Sequence, residues 1–459
     1  MNKVSKLLLL ALKVYAFTWL LICLWFLVRA FTENLTISES YKQLIELLTY
    51  KQFVIFFHVL FLIIYFIVLI IYHFRNVYRN KNFKTMFKQV LFRFLSPILL
   101  LYFGINYLID NNANDQYKYS WNTSYENTSK KATNHFKKDS KFRGMSVFGW
   151  HRSNDNDIDE LVKNNIEWVA VIPFFYQKDE QTKLISTKKD LGVWTHRDSS
   201  FINTIEDLHN KGVHVMLKPH LWMSSGWRSD IDLESTREWD EWFNTYRNVM
   251  LHYATMAEAT STDLLCIGTE LKTSIKQQPE QWKQLIKDIR AIYSGKLTYA
   301  ANWYDEFEHV SFWDELDYIG IQAYFPLTNH KNPSLSEIEL GWKAHKEVLK
   351  AFSKTHNKPI LFTEIGYRSD AATTIKPWEW NSLGNLIINQ RSTKAQQLAY
   401  EALFNSFWNE SWFAGCFLWQ WDTRINKQRS SESFDFSPKH KPAQNIMAKW
   451  YGNHNSLDE

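Results

Sequence analysis

Cysteine is scarce: three in 459 residues, with Cys23 in an apolar run and Cys266 and Cys416 in separate strand-like segments. That count and placement argue against both a disulfide framework and a cysteine-held metal cluster. The histidines show no HExxH or comparable ligand spacing, so a metal hydrolase is not indicated either. A large excess of one charge is also missing. The net charge is +5, much of it in one short cluster near the N-terminus, and nothing suggests a nucleic-acid surface. With 45% hydrophobic residues the chain can bury one large core or two ordinary ones.

Long hydrophobic runs are present, and they come first. Leu7 to Val28 is apolar apart from Lys13, and Phe53 to Tyr72 is an unbroken run whose only clearly ionisable member is His58. A third span from Val90 to Ile109 carries Arg93 near its start and Pro97 inside. Roughly 20 residues at about 1.5 Å each cross the hydrocarbon of a bilayer, so residues 1–110 are expected to form three transmembrane helices. No small-residue cleavage pattern follows the first span, which reads as a retained helix rather than a signal peptide. Between the second and third spans Arg75, Arg79, Lys81, Lys84 and Lys88 occur without one acid, which assigns that loop to the cytoplasm. By alternation, everything after Ile109 faces the periplasm or cell exterior. Residues 111–141 are rich in Asn, Ser, Thr and Lys and are expected to be a polar linker with no fold of its own.

From Arg143 onward, eight short apolar runs alternate with polar or amphipathic stretches: "RGMSVFGW", "IEWVAVIPFFYQ", "VHVMLKPHLW", "TDLLCIGTEL", "KLTYAANWYDE", "YIGIQAYFPL", "KPILFTEIGYRS" and "WFAGCFLWQWDT". Near-continuous apolar strands are buried on both faces, and connections this long accommodate crossover helices. The pattern predicts an α/β fold, a (β/α)8 TIM barrel over residues 142–452. An open doubly wound sheet would carry a glycine-rich phosphate turn after its first strand, and "FGWHRSND" has none.

Barrels do their chemistry where strands feed the βα loops. Glu270 closes the fourth run and Glu364 the seventh, roughly opposed around the ring's mouth. A lone strand-end glutamate is as readily a salt-bridge partner or a helix cap. Two facing one cleft are the equipment of glycoside hydrolysis, in which one protonates the leaving oxygen and the other attacks the anomeric carbon or activates water. With these residues the chain resembles glycoside hydrolase family 113, known for β-1,4-mannanases, through "RGMSVFGWHR", "CIGTEL", "GIQAYFP" and "FTEIGYRS". The resemblance implies a retaining enzyme with Glu270 as acid/base, Glu364 as nucleophile and Tyr324 orienting the nucleophile, and it implies no metal or organic cofactor. Direct attack requires the two carboxyl groups about 5–5.5 Å apart. One departure is Thr269, where many members of the wider clan have an asparagine that holds the sugar 2-hydroxyl. Recognition of that hydroxyl, and hence the exact sugar, is left open.

Of the 21 tryptophans, 18 lie after residue 141, which suits pyranose faces as well as core packing. Trp168, Trp239, Trp242, Trp282 and Trp408 are expected in the core. Trp303, Trp419 and Trp421 are expected as sugar platforms, with Trp421 ranked first because strand alternation without a bulge puts it on the face of Trp419, nearer the mouth. His220, Lys218, Asn302 and Tyr176 are candidates for hydrogen bonds to sugar hydroxyls, with pairing to an acidic side chain as the alternative for His220 and Lys218. The expected partners are a β-linked polysaccharide, most readily β-1,4-mannan, and the lipid bilayer. Another β-hexan, an envelope polysaccharide, transglycosylation, or a noncatalytic glycan-binding barrel are the rival readings.

Overall fold

In the computed structural model of the chain the described residues are 3–32, 51–113, 119–148, 155–185, 194–380, 388–423 and 434–453, with residues 36, 40, 41, 44, 45, 48 and 382. They form two compact units, Met1–Tyr107 and Leu108–Glu459.

Among the described residues, three helices are long and apolar enough to cross a membrane: Lys6–Thr32, Phe53–Asn80 and Phe83–Ala113. Their large apolar side chains point outward, Leu20, Phe66 and Leu100 among them, a pattern that suits contact with hydrocarbon. The first two helices pack through rings, with Trp19 and Tyr15 4.3 and 5.3 Å from Phe57. In the third, Pro97 cannot return an N–H to the preceding turn, and the helix widens into a π turn over Leu91–Leu95 immediately before it. The basic stretch expected as a loop is mostly helical. It turns only at Lys81 and Asn82, and Asn82 caps the next helix by accepting from the Thr85 N–H at 2.8 Å.

Among the described residues the second unit has ten strands: β1 (Phe142–Phe148), β2 (Trp168–Val171), β3 (Phe174–Gln177), β4 (His214–Leu217), β5 (His220–Met223), β6 (Leu264–Thr269), β7 (Lys296–Asn302), β8 (Tyr318–Gln322), β9 (Ile360–Ile365) and β10 (Phe413–Asp422). Eight close into a parallel barrel in the order β1-β10-β9-β8-β7-β6-β4-β2, with helices between them, so the (β/α)8 fold expected from the repeat is the one that forms. The second and third apolar runs each split, at Pro173 and Pro219. Neither proline has an N–H for the ladder, and beyond them β3 and β5 leave the ring as a separate two-stranded parallel sheet.

Both faces of the barrel strands are buried, which is why alternation is absent from the sequence. In β2, Trp168 and Ala170 belong to the inner core with Phe142, Met216, Leu264 and Phe417, while Val169 and Val171 join the outer core between strands and helices. The helix Thr236–Ala259 buries Trp239, Trp242, Phe243, Tyr246, Val249, Met250 and Tyr253, a stripe at three- and four-residue spacing. Trp168, Trp239, Trp242, Trp282 and Trp408 are all buried.

The segment expected to lack structure lies against the barrel from Tyr119 onward. The Tyr119 hydroxyl donates to Gln444 at 2.9 Å, and the Asn165 amide donates to the Tyr125 carbonyl at 2.7 Å. Buried Glu167 accepts from the Thr133 hydroxyl and from the backbone N–H groups of His135 and Phe136. This brings the Phe136 ring 4.9 Å from both Phe142 and Trp168, so that it plugs the floor of the barrel. Composition suggests a tether because the contacts are made by backbone groups, two hydroxyls and one aromatic ring rather than by an apolar stripe.

Beside that plug, Asp263 accepts hydrogen bonds from His214 at 2.6 Å, His209 at 3.1 Å and the Val215 N–H at 2.9 Å. Burial alone would raise its pKa, but these bonds outweigh burial and hold the carboxyl below its ordinary range. A depressed folded value means stability that is present above the unfolded carboxylate range and is lost as the pH falls through the folded one. Asp263→Asn is therefore expected to lower stability at neutral pH by about 1.5–3 kcal/mol. The gap to the parent should narrow below about pH 4. Thermal melts across pH check this, and a gap that does not change with pH would refute it.

Candidate active site

At the C-terminal rim of the barrel, β6 and β9 are separated by β7 and β8, three steps around the ring rather than opposite. Glu364 lies within β9, paired in register with Gln322 of β8. One carboxylate oxygen accepts from the Tyr324 hydroxyl at 2.6 Å. The other accepts from Lys218 Nζ at 2.8 Å and the Gln322 amide at 3.3 Å. Lys218 is fully buried and also donates to the Gln322 oxygen at 3.0 Å. Burial, then the charge of Glu364, pushes the Tyr324 phenol well above its ordinary value, so it stays a donor. Two residues on, Gly366 passes so close to β10 that a Cβ there would meet the Trp419 carbonyl oxygen at 2.2 Å, which explains a glycine directly behind the carboxylate.

Glu270 follows β6 with φ of 51°, a left-handed conformation that costs a non-glycine residue on the order of 1–3 kcal/mol. Its surroundings maintain it: the Glu270 N–H donates to the Ala300 carbonyl at 3.0 Å, and its carbonyl accepts from the Ser229 hydroxyl at 2.8 Å. The carboxyl accepts from the Arg228 guanidinium on one oxygen and from the Asn302 amide at 3.1 Å on the other. Burial raises its pKa most, Arg228 opposes, and the charge of Glu364 raises it again; the net direction is upward.

Both carboxyl groups line one cavity of about 880 Å³. Tyr324, Asn302, Trp303, Trp419 and His220 share it. His220 stacks on Phe174, with ring centroids 5.8 Å apart, and neither ring nitrogen has a hydrogen-bond partner among the described residues. Burial, then the charges of Arg228 and Lys218, lowers its pKa well below the ordinary value, so the imidazole is neutral, with one donor and one acceptor.

Three expected contacts lie elsewhere. Trp421 is fully buried against Lys439, whose Nζ is 5.5 Å from the ring centroid, and does not line the cavity. The ladder explains this: Ser146 pairs with Trp419 but the next residue, Val147, pairs with Trp421, so Gln420 bulges and the two tryptophans take opposite faces. Lys218 lies behind the cavity wall, committed to Glu364 and Gln322, which is the pairing held as its alternative. Tyr176 is half-buried on β3, where Phe174 takes the lining position instead. Missed from sequence were Arg228, Gln322, Trp222, Trp227, Trp378 and Trp380, all cavity-lining. Gln322 ends an apolar strand as the glutamates do and could have been found by the same rule. Arg228 and the four tryptophans belong to β5 or to connecting segments, where no periodicity marks them.

Residues 142–441 match Glycoside Hydrolase Family 113. The chain belongs to this family. As a family 113 glycoside hydrolase it resembles a β-mannanase from Alicyclobacillus acidocaldarius solved with ManMIm, at 25% identity and TM-score 0.59, over 68% of this chain and 97% of that one. Two further structures, both described as GH113 β-1,4-mannanases, share the fold at 23% and 24% identity with TM-scores of 0.58 and 0.59, each covering 68% of this chain and 99% of its own. Comparison with curated proteins finds no match.

The different settings of His220 and Trp421 separate activity from stability. His220→Phe is expected to hold or raise the melting temperature, because it removes unpaired buried polar atoms, while lowering kcat/KM for a glycan substrate. Trp421→Leu is expected to cost about 3 kcal/mol of stability with little change in KM. Paired melting and kinetic measurements check both, and a reversal of the pattern would return Trp421 to the platforms.

Proposed function

We propose that this glycoside hydrolase cleaves β-1,4-mannan or a closely related β-hexan with retention, Glu364 acting as nucleophile and Glu270 as acid/base. The observation that carries the reading is the unequal treatment of two carboxyls in one cavity. Glu364 receives three donors, one of them a buried ammonium, which suits an ionised group aimed at the anomeric carbon. Glu270 is buried with its pKa raised, which suits a group that holds a proton until it is needed.

In the first step a Glu364 oxygen bonds to the anomeric carbon as the glycosidic C–O bond breaks, and the Glu270 proton passes to the leaving oxygen. In the second, Glu270 takes a proton from water, the water oxygen bonds to the anomeric carbon, and Glu364 is released. Arg228 and Asn302 support the carboxylate of Glu270 between the steps. The neutral His220 lies on the cavity wall with both nitrogens buried and without a partner among the described residues, so it keeps a donor and an acceptor in reserve for a sugar hydroxyl where Thr269 supplies no amide. Trp303, Trp419 and the exposed Trp222 and Trp380 supply flat apolar surface for further sugar units.

Glu364→Ala is expected to abolish turnover in the fraction that stays folded and, because it strands the buried Lys218 ammonium, to lower the melting temperature as well. Glu270→Ala should retain cleavage of dinitrophenyl glycosides, which need no protonation, and azide should trap a glycosyl azide of retained configuration. Because the acid form of Glu270 is lost as pH rises, kcat/KM should fall on a basic limb above the ordinary carboxylate range. Product analysis on mannan, glucan and galactan oligomers names the polymer; no cleavage of any by the parent would sink the reading.

The three apolar helices support a membrane anchor, and the acid-free basic stretch around Lys81 supports placing that turn in the cytoplasm and the barrel outside. A membrane-impermeant thiol reagent should label a cysteine introduced at exposed Tyr304 in intact cells and spare one introduced at Lys81. The opposite labelling would invert the topology.

A further inference from the structure

Glu306 lies in the turn after β7, fully buried and outside the cavity lining. One carboxyl oxygen accepts from the Tyr299 hydroxyl at 2.6 Å and the other from the Asn302 N–H at 2.8 Å. Each partner leads to Glu270. The Tyr299 oxygen accepts from the N–H of Leu271, the residue that follows Glu270 in its left-handed conformation, at 2.7 Å. The Asn302 amide oxygen accepts from the Tyr304 N–H at 2.9 Å, which leaves its NH2 group to donate to the Glu270 carboxyl. A carboxyl taken out of water costs several kcal/mol, and an apolar side chain could fill this turn at less cost. What the carboxyl supplies is a polar partner on each side, one oxygen accepting from the Asn302 N–H and the other paired with the Tyr299 hydroxyl, which locks both residues from behind.

We propose that Glu306 is a positioning residue for the acid/base, fixing through Asn302 and Tyr299 the place and orientation from which Glu270 delivers its proton. The proposal rests on the acid/base reading of Glu270 given above. Glu306 does not touch the sugar. Its effect should therefore appear only where proton delivery limits the rate. Substrate binding through Trp303 and Tyr304, which extend from the same turn into the cavity, is a separate quantity. Burial, with the charge of Glu270 adding to it, pushes Glu306 up to about 8, so the two carboxyls also influence each other directly.

The experiment compares phenyl and dinitrophenyl glycosides of the oligomer that the full-length protein cleaves, assayed in detergent with Glu306→Leu, Asn302→Ala and Glu270→Ala. The phenyl leaving group needs a proton and the dinitrophenyl group does not. Glu306→Leu, which keeps the bulk and removes both polar contacts, should lower kcat/KM for the phenyl substrate roughly tenfold, as loss of well-aligned acid catalysis does, and leave the dinitrophenyl value within about twofold. Asn302→Ala should show the same selectivity, and Tyr299→Phe, which removes the hydroxyl between Glu306 and the Leu271 N–H, decides the matter if Glu306→Leu does not fold. Equal losses on both substrates, or no loss on either, would overturn the proposal. If Glu270→Ala is selective and the other two variants are not, only the positioning role falls. If Glu270→Ala loses both substrates equally, the acid/base reading falls and takes this proposal with it.

Discussion

The ammonium of Lys218 and the carboxylate of Glu364 meet at 2.8 Å behind the barrel's rim, with side-chain exposures of 0% and 9%. Removing two such charges from water costs several kcal/mol each, and mutual attraction offsets that only when the remaining donors and acceptors are also satisfied. Gln322 satisfies both partners at once, and Tyr324 takes the second carboxylate oxygen. This requirement extends outward. Lys218 must directly follow β4, and Gln322 must end β8 opposite Glu364, a pairing reached through a one-residue shift of the β8–β9 ladder at Ile321 and Gln322. A slip of one residue in any of these strands would turn a charge toward the outer core. The closed parallel ring holds the register and the rim chemistry exploits it.

Glu270 is held in a different way. Its grip comes mainly from a loop, which supplies Arg228 and Ser229, with Asn302 at the end of β7 on the other side. The two carboxyls thus depend on different kinds of scaffold, one on strand register and the other on loop conformation. Loop conformation is the more readily varied of the two. The aromatic wall follows the same division: Trp419 comes from a strand, while Trp227, Trp303, Trp378 and Trp380 lie in the connections.

Legibility in the sequence tracks this distinction. Strands buried on both faces show up as apolar runs, and a carboxylate that ends such a run stands out, so the ring and the positions of Glu270 and Glu364 at its rim were readable. Arg228 was not, because a cation in a loop looks like any solvated cation until its partner is known. Trp421 misled because a single bulged residue reverses the parity on which the alternation argument depends. Pro173 and Pro219 were visible, but their consequence, two strands peeling off the ring, needs the partner ladder to be seen. The family 113 match covers the barrel and stops short of the three apolar helices and of residues 119–141.

Residues 119–141 have a practical consequence for anyone preparing the barrel without its apolar helices. Cutting the gene at the first strand would strip Phe136 from the rings of Phe142 and Trp168 and leave three acceptor bonds of Glu167 unmade. Such a fragment would open with a greasy wound and a stranded carboxylate at its base, which is an invitation to aggregate. Expression designs that begin ahead of Tyr119 keep the stopper in the bottle.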